Sequence, residues 1–123
     1  MNAALQRLTA AASNIANARS SGPLPSAANA ANYPPPYSPV EVVQSSVLGG
    51  GVLARIVPSP AGPVATYDPG APYADSQGMV ATPGVDLASE IVNLITAKRD
   101  FAANLAVMRT ETAMYAALLD IKA

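Results

Sequence analysis

The side chains best placed for chemistry in this sequence are two aspartates, Asp68 and Asp75, in the turn-rich run Tyr67-Asp68-Pro69-Gly70-Ala71-Pro72-Tyr73-Ala74-Asp75. Together they suggest a carboxylate pair or a pair of calcium ligands. No EF-hand spacing surrounds them, and aspartate beside proline and glycine is a standard turn residue, so turn formation is the simpler role. Ser13, Ser76 and Ser89 have no relay to activate them, because the chain has no histidine. Cysteine is absent too, which removes thiol nucleophiles, disulfides and, with histidine gone, the usual transition-metal ligands. Gly49-Gly50-Gly51 is not followed by the Lys-Ser/Thr of a phosphate loop and reads as a flexible turn. The expectation is therefore a protein without catalytic residues, cofactor or metal.

Charge points the same way. Seven basic and eight acidic residues leave a net charge of −1, without the basic patch that nucleic acid requires or the polybasic run that favours an anionic membrane surface. No apolar run reaches the roughly 20 residues of a membrane span. The start, Met1-Asn2-Ala3-Ala4-Leu5-Gln6-Arg7, lacks the charged-then-apolar order of a cleavable signal peptide. Any export is expected to proceed without one.

What remains is helix and its positioning. Three regions are expected: an N-terminal helix in 1–19, a Pro/Gly-rich connection in 20–84 and a long C-terminal helix in 85–123. All twelve prolines and eight glycines fall in the middle region. In the first helix Met1, Leu5, Leu8, Ala12 and Ile15 repeat with four-three spacing, and Asn14, Asn17 and the Ser20-Ser21-Gly22-Pro23 run end it. The last helix carries the same spacing through Leu87, Ile91, Leu94, Lys98, Phe101, Leu105, Met108, Thr112, Tyr115, Leu119 and Lys122. Pro83-Gly84 breaks the chain before it and Asp86 is placed to cap it. Its flanks are also small or apolar, among them Ala88, Ile95, Ala102, Ala106, Ala113 and Leu118, so it presents more apolar circumference than a helix of half its length covers. In the middle, Val40–Gln44 and Val52–Val57 form a hairpin around Ser45–Gly51, with weaker strands at Val64–Tyr67 and Met79–Ala81. The fold class is mainly α with a small β part: terminal helices pairing as an antiparallel coiled-coil-like unit, and a middle with one or two short β-hairpins.

Two stretches then carry a family resemblance. Ala12-Ser13-Asn14-Ile15-Ala16-Asn17-Ala18, and Tyr67 through Val80 continuing into Pro83-Gly84-Val85-Asp86, resemble the flagellar axial family, the rod and hook proteins of the bacterial flagellum, and within it the proximal rod. Asn14, Asn17, Asp75, Gly78 and Asp86 are the motif positions. Glu90-Ile91-Val92-Asn93 and Ala102-Ala103-Asn104-Leu105 continue the pattern. The first helix starts later than is usual in that family, and the proline-rich 20–39 stretch is unusual in it. The resemblance implies a structural subunit that leaves the cell through the flagellar type III export apparatus and assembles helically, with itself and other rod subunits, into the torque-transmitting rod of the basal body in the periplasm. The assembly interface it implies comprises Leu5, Leu8, Ala12, Ile15, Leu87, Ile91, Leu94, Phe101, Leu105, Met108, Tyr115 and Leu119.

Other readings stay open on the residues alone. The heptads also fit an intramolecular helical hairpin, and the chain also fits a small secreted adaptor or effector that binds one partner through its C-terminal helix. Lys98 either specifies register or lays its stem along the seam with its charge in solvent. Tyr33-Pro34-Pro35-Pro36-Tyr37 is either a polyproline ligand or a stiff linker packed on its own subunit.

Overall fold

The computed structural model describes residues 1–122; the final residue of the predicted 85–123 unit and the side chain of Lys122 lie outside the described residues. The element order is α1 (Asn2–Asn17), a short 3-10 turn (Ala30–Asn32), β1 (Val40–Ser46), β2 (Val52–Pro58), β3 (Val64–Tyr67), β4 (Met79–Thr82) and α2 (Leu87–Lys122). Mainly helix with two small antiparallel sheets is what the apolar spacing and the Pro/Gly punctuation predict.

The two helices run antiparallel. Arg7 of α1 meets Asp100 of α2 at 2.6 Å, and Asn14, two turns later, meets Glu90, three turns earlier. The contact is not the expected coiled coil of large residues from the four-three seams. The helix positions buried most deeply are small ones beside the seams, Ala4, Ala10 and Ala11 on α1 and Ala97 on α2. Leu8, Ile15, Leu94, Phe101 and Leu105 are half-buried, while Leu5 and Ala12 face outward. The reason is that α1 serves two neighbours. Hairpin β1–β2 lies over it as α2 lies beside it, and alanines let both approach closely.

The hairpin register pairs Val40 with Pro58 and Ser46 with Val52. Alternation then puts Val40, Val42, Ala54 and Ile56 on the face toward α1, with Ala54 buried, and leaves Glu41, Val43, Leu53 and Arg55 outward. Gly49, Gly50 and Gly51 all adopt φ near +100°, and the turn is closed by the Gly50 N–H donating to the Val47 carbonyl. A two-stranded ribbon is marginal in water, and its packing on α1 supplies what it lacks.

The second sheet clips the base of the molecule together. β3 and β4 pair from Tyr67–Met79 to Val64–Thr82, and Gly22 adds a bridge on the free edge of β4, exchanging two 2.9 Å hydrogen bonds with Ala81. Val80 and Ala81 are consequently buried. Gly22 follows α1 closely and Ala81 precedes α2 closely, so this bridge joins the exit of one helix to the entry of the other. Gly22 is required by space: a Cβ there would lie 2.7 Å from the Pro36 nitrogen and 2.9 Å from the Pro34 oxygen. The proline-rich stretch is thus packed on its own subunit, where Tyr33 also stacks edge-on against Tyr73 at 5.7 Å and Ser21 shares a 2.7 Å hydrogen bond with the Tyr73 hydroxyl.

α2 starts at a capped end. The Asp86 carboxylate accepts hydrogen bonds from the Ala88 and Ser89 N–H groups and, at 2.6 Å, from the Ser89 hydroxyl. The Ser89 hydroxyl and then the two N–H groups hold the Asp86 pKa below its ordinary value of 3.8. Its native pKa being lower than its unfolded one, the cap stabilises the fold above the ordinary value, and this contribution is lost as pH falls through that value toward the depressed native one.

Two outcomes follow. Gly22→Ala is destabilised by about 1–3 kcal/mol through overpacking against Pro34–Pro36, read as a lower midpoint in chemical denaturation with an unchanged slope. Asp86→Asn keeps a capping oxygen but loses the titration, so the dependence of its thermal midpoint on pH through the carboxylate range is shallower than that of the parent chain.

Candidate assembly interface

At the base of the helix pair sits one buried amide. Asn14, 2% exposed, uses its whole hydrogen-bonding capacity on groups remote in sequence. Its Nδ2 donates to the Val40 carbonyl at 2.8 Å and to Glu90 Oε1 at 2.9 Å. Its Oδ1 accepts from the Val40 N–H at 2.9 Å and from the Tyr37 hydroxyl at 3.0 Å. Toward Val40 the side chain therefore behaves as a neighbouring strand would, taking both backbone groups of one residue. α1, the end of the proline-rich stretch, the start of β1 and α2 are joined at this point. Desolvation, then the nearby Glu90 charge, raise the Tyr37 pKa above its ordinary 10.0, so the phenol stays protonated as the donor this arrangement needs.

This corrects the expectation that Asn14 stops α1 by bonding local backbone. The helix continues to Asn17, and it is Asn17 that bonds locally, donating to the Ser13 carbonyl at 2.8 Å. The other motif positions also shape backbone. Asp75 Oδ1 accepts from the Gln77 and Met79 N–H groups, both at 2.8 Å, and holds the turn that leads into β4. Gly78 in that turn has φ +74°, and a Cβ there would come within 2.9 Å of the Tyr67 ring. Among the described residues no group of three or more acidic residues is placed to hold a metal ion, and no helix is long and apolar enough to cross a membrane.

Beyond Leu105 the character of α2 changes. Every residue from Ala106 to Ile121 is exposed, although Val107, Met108, Met114, Tyr115, Leu118, Leu119 and Ile121 are large and apolar or aromatic. The N-terminal end of α1 reaches only the neighbourhood of Asn104, Val107 and Met108, in a groove that Gln44 and Val52 of the hairpin also line. The predicted interface residues thus divide. Leu8, Ile15, Leu94, Phe101 and Leu105 are half-buried within the subunit, whereas Leu5, Ala12, Leu87, Ile91, Met108, Tyr115 and Leu119 face outward. Lys98 is exposed and forms no ion pair among the described residues. The Asn14 amide, the Gly22–Ala81 bridge and the Arg7–Asp100 pair are absent from any list read off apolar spacing, because each partner lies far away in the chain.

Comparison with known proteins places this geometry in a context. The family described as the C-terminal region of the flagellar basal body rod FlgEFG proteins matches residues 76–121. The flagellar basal-body rod protein FlgC of an Escherichia coli O6:H1 strain is 36% identical over 121 residues, covering 93% of this chain and 84% of the relative. Its namesake from Salmonella typhimurium is 36% identical over 110 residues, covering 89% and 80%, and that from Yersinia enterocolitica 38% identical over 117 residues, covering 89% and 81%.

Removing the amide tests the hub. Asn14→Ala leaves Val40, Glu90 and Tyr37 without partners and is expected to cost roughly 2–4 kcal/mol, since each buried polar group left unpaired costs about 1–3 kcal/mol. Asn14→Asp is the sharper variant. It sets a carboxylate against the Glu90 carboxylate and the Val40 carbonyl, so its unfolding free energy falls below that of the parent at neutral pH and recovers as acid protonates the new carboxyl.

Proposed function

This chain belongs to the FlgC family of flagellar basal-body rod proteins, and we propose that it is a structural subunit of the proximal rod, assembling helically with copies of itself and other rod subunits and transmitting torque by geometry and stiffness. The observation that carries the reading is the uncovered second half of α2. Its large apolar side chains would each contribute about 1.5–3 kcal/mol on burial, and among the described residues the subunit places nothing of its own over them. Patches of this kind mark interaction surfaces. The start of α2 is fixed, because the helix is capped by Asp86 and held to α1 and β1 through Asn14.

In this reading 1–19 and 85–123 form the packing unit of the rod wall, and 20–84 fixes the angle between the helices and makes contacts beside them. Delivery is through the flagellar export apparatus as an unfolded chain with an uncleaved N-terminal signal. The absence of cysteine suits that route, since nothing cross-links on entering an oxidising compartment. The subunit acts without catalysis, and its location is the basal-body rod.

Charge on the uncovered helix separates assembly from folding. Met114→Glu with Leu118→Glu leaves the helical signal and thermal midpoint of the dilute chain nearly unchanged, because both side chains are already exposed. In cells lacking the native protein, the same variant fails to restore rod assembly and motility. Restoration to the level of the parent chain would refute a role for this surface.

A further inference from the structure

Redox chemistry in this chain is confined to one kind of sulfur. Peroxides donate an oxygen atom to reduced sulfur, and the chain has no cysteine to take it first. Histidine and tryptophan are absent as well. What remains is four methionines, Met1, Met79, Met108 and Met114, and their settings differ. Met79 is half-buried at the start of β4, where its N–H donates to Asp75 and its strand partner is Tyr67. Met108 and Met114 are 51% and 63% exposed, and both lie in the part of α2 that the subunit leaves uncovered.

Their spacing spreads them over that surface. At 3.6 residues per turn, a separation of six residues sets Met108 and Met114 about 120° apart around α2. Met108 continues the line of Phe101 and Tyr115, which stand one heptad to either side. Met114 follows the line of Val107 and Leu118, and with them borders a shallow, mostly apolar groove. Each of the two apolar lines of the overhang thus carries one thioether. Met108 also borders the groove shared with Met1, Gln44 and Val52, whereas the groove around Met114 is formed by α2 alone. A change at Met114 is therefore felt by whatever covers the helix and not by the fold of the subunit.

We propose that Met108 and Met114 are oxidation sites through which peroxide stops this subunit from assembling. This rests on the rod-subunit reading and adds a control to that same surface. The thioether sulfur attacks one oxygen of hydrogen peroxide and the O–O bond breaks, so that sulfur gives up two electrons. The hydroxide released takes the proton from the new S–OH group and leaves as water. The product, methionine sulfoxide, is the reversible rung of methionine oxidation, and reductases specific for each epimer restore the thioether. The sulfoxide replaces a soft apolar side chain with a strong hydrogen-bond acceptor. In water that acceptor is hydrated; against an apolar neighbour it loses its hydration and finds no donor. The modification thus weakens docking and spares the dilute subunit. Neighbours that cover the overhang also shield its sulfurs, so the unassembled chain is the sensitive form and the assembled one the resistant form.

The test treats full-length chain, diluted until it is unassembled, with hydrogen peroxide for increasing times and maps it by peptide mass. Met108 and Met114 are expected to gain one oxygen several-fold faster than Met79, with the helical signal and thermal midpoint retained. At that stage assembly with other rod subunits falls several-fold, and the two reductases with dithiothreitol restore it. Peroxide applied after assembly leaves Met114 unmodified. A Met108→Leu/Met114→Leu chain, compared only with its own untreated yield, loses nothing to the same exposure. Oxidised parent chain that assembles like the untreated chain would overturn the proposal and leave the rod-subunit reading standing. So would a loss that tracks Met79, that the reductases do not reverse or that the leucine variant shares, and so would equal oxidation of Met114 before and after assembly. Untreated parent chain that fails to assemble, alone or with other rod subunits, would remove both.

Discussion

A helix of 16 residues lies against one of 36, and the rest of this structure follows from that inequality. At 1.5 Å per residue the two span about 24 and 54 Å. The partnered half of α2 buries Ala97 and half-buries Leu94, Phe101 and Leu105, while the other half carries residues as apolar into solvent. In most proteins a helix owes its stability to packing of one face and shows water the other. Here the uncovered stretch shows apolar side chains around much of its circumference, the composition of a helix meant for several neighbours. That the chain belongs to the FlgC rod proteins gives those neighbours an identity.

Such a surface is useful only if it is aimed. Three interactions fix the helix pair at its base: the Asn14 amide with its four partners, the Gly22–Ala81 bridge and the Asp86 cap. Asn14 matters most, because a buried amide is tolerable only when fully paired, and only one arrangement of α1, Tyr37, Val40 and Glu90 pairs it. Moving either helix by a turn would leave polar groups unsatisfied, whereas the small apolar contacts of Ala4, Ala11 and Ala97 would tolerate a slide. The polar hub sets register and the alanines permit closeness. The half-exposed Arg7–Asp100 pair adds orientation and little stability, as ion pairs near the surface usually do.

Local signals in the sequence carried much of this. The four-three spacing marked both helices, Pro83-Gly84 and Asp86 marked the start of α2, and the triple glycine marked the hairpin turn, because each is decided by neighbours in the chain. The buried line of α1 was not legible. Spacing of large residues points to Leu5 and Ala12, yet a helix shared between a second helix and a hairpin buries its small residues, Ala4, Ala10 and Ala11. Nor was Asn14 legible as a hub, since Val40 and Glu90 are distant in sequence and an asparagine near a helix end reads as a terminator. Gly22 looked like a helix breaker; its role is to let the backbone pass against Pro34–Pro36.

The central claim is that the second half of α2 is left for neighbours to cover, and amide hydrogen exchange measures this residue by residue. In dilute chain, amides from Ala106 to Ile121 should exchange much faster than those near Ala97, because no packing supports that stretch. On assembly with other rod subunits the same amides should slow to match. Equal, strong protection along all of α2 in a dilute monomer, unchanged by assembly, would contradict the account.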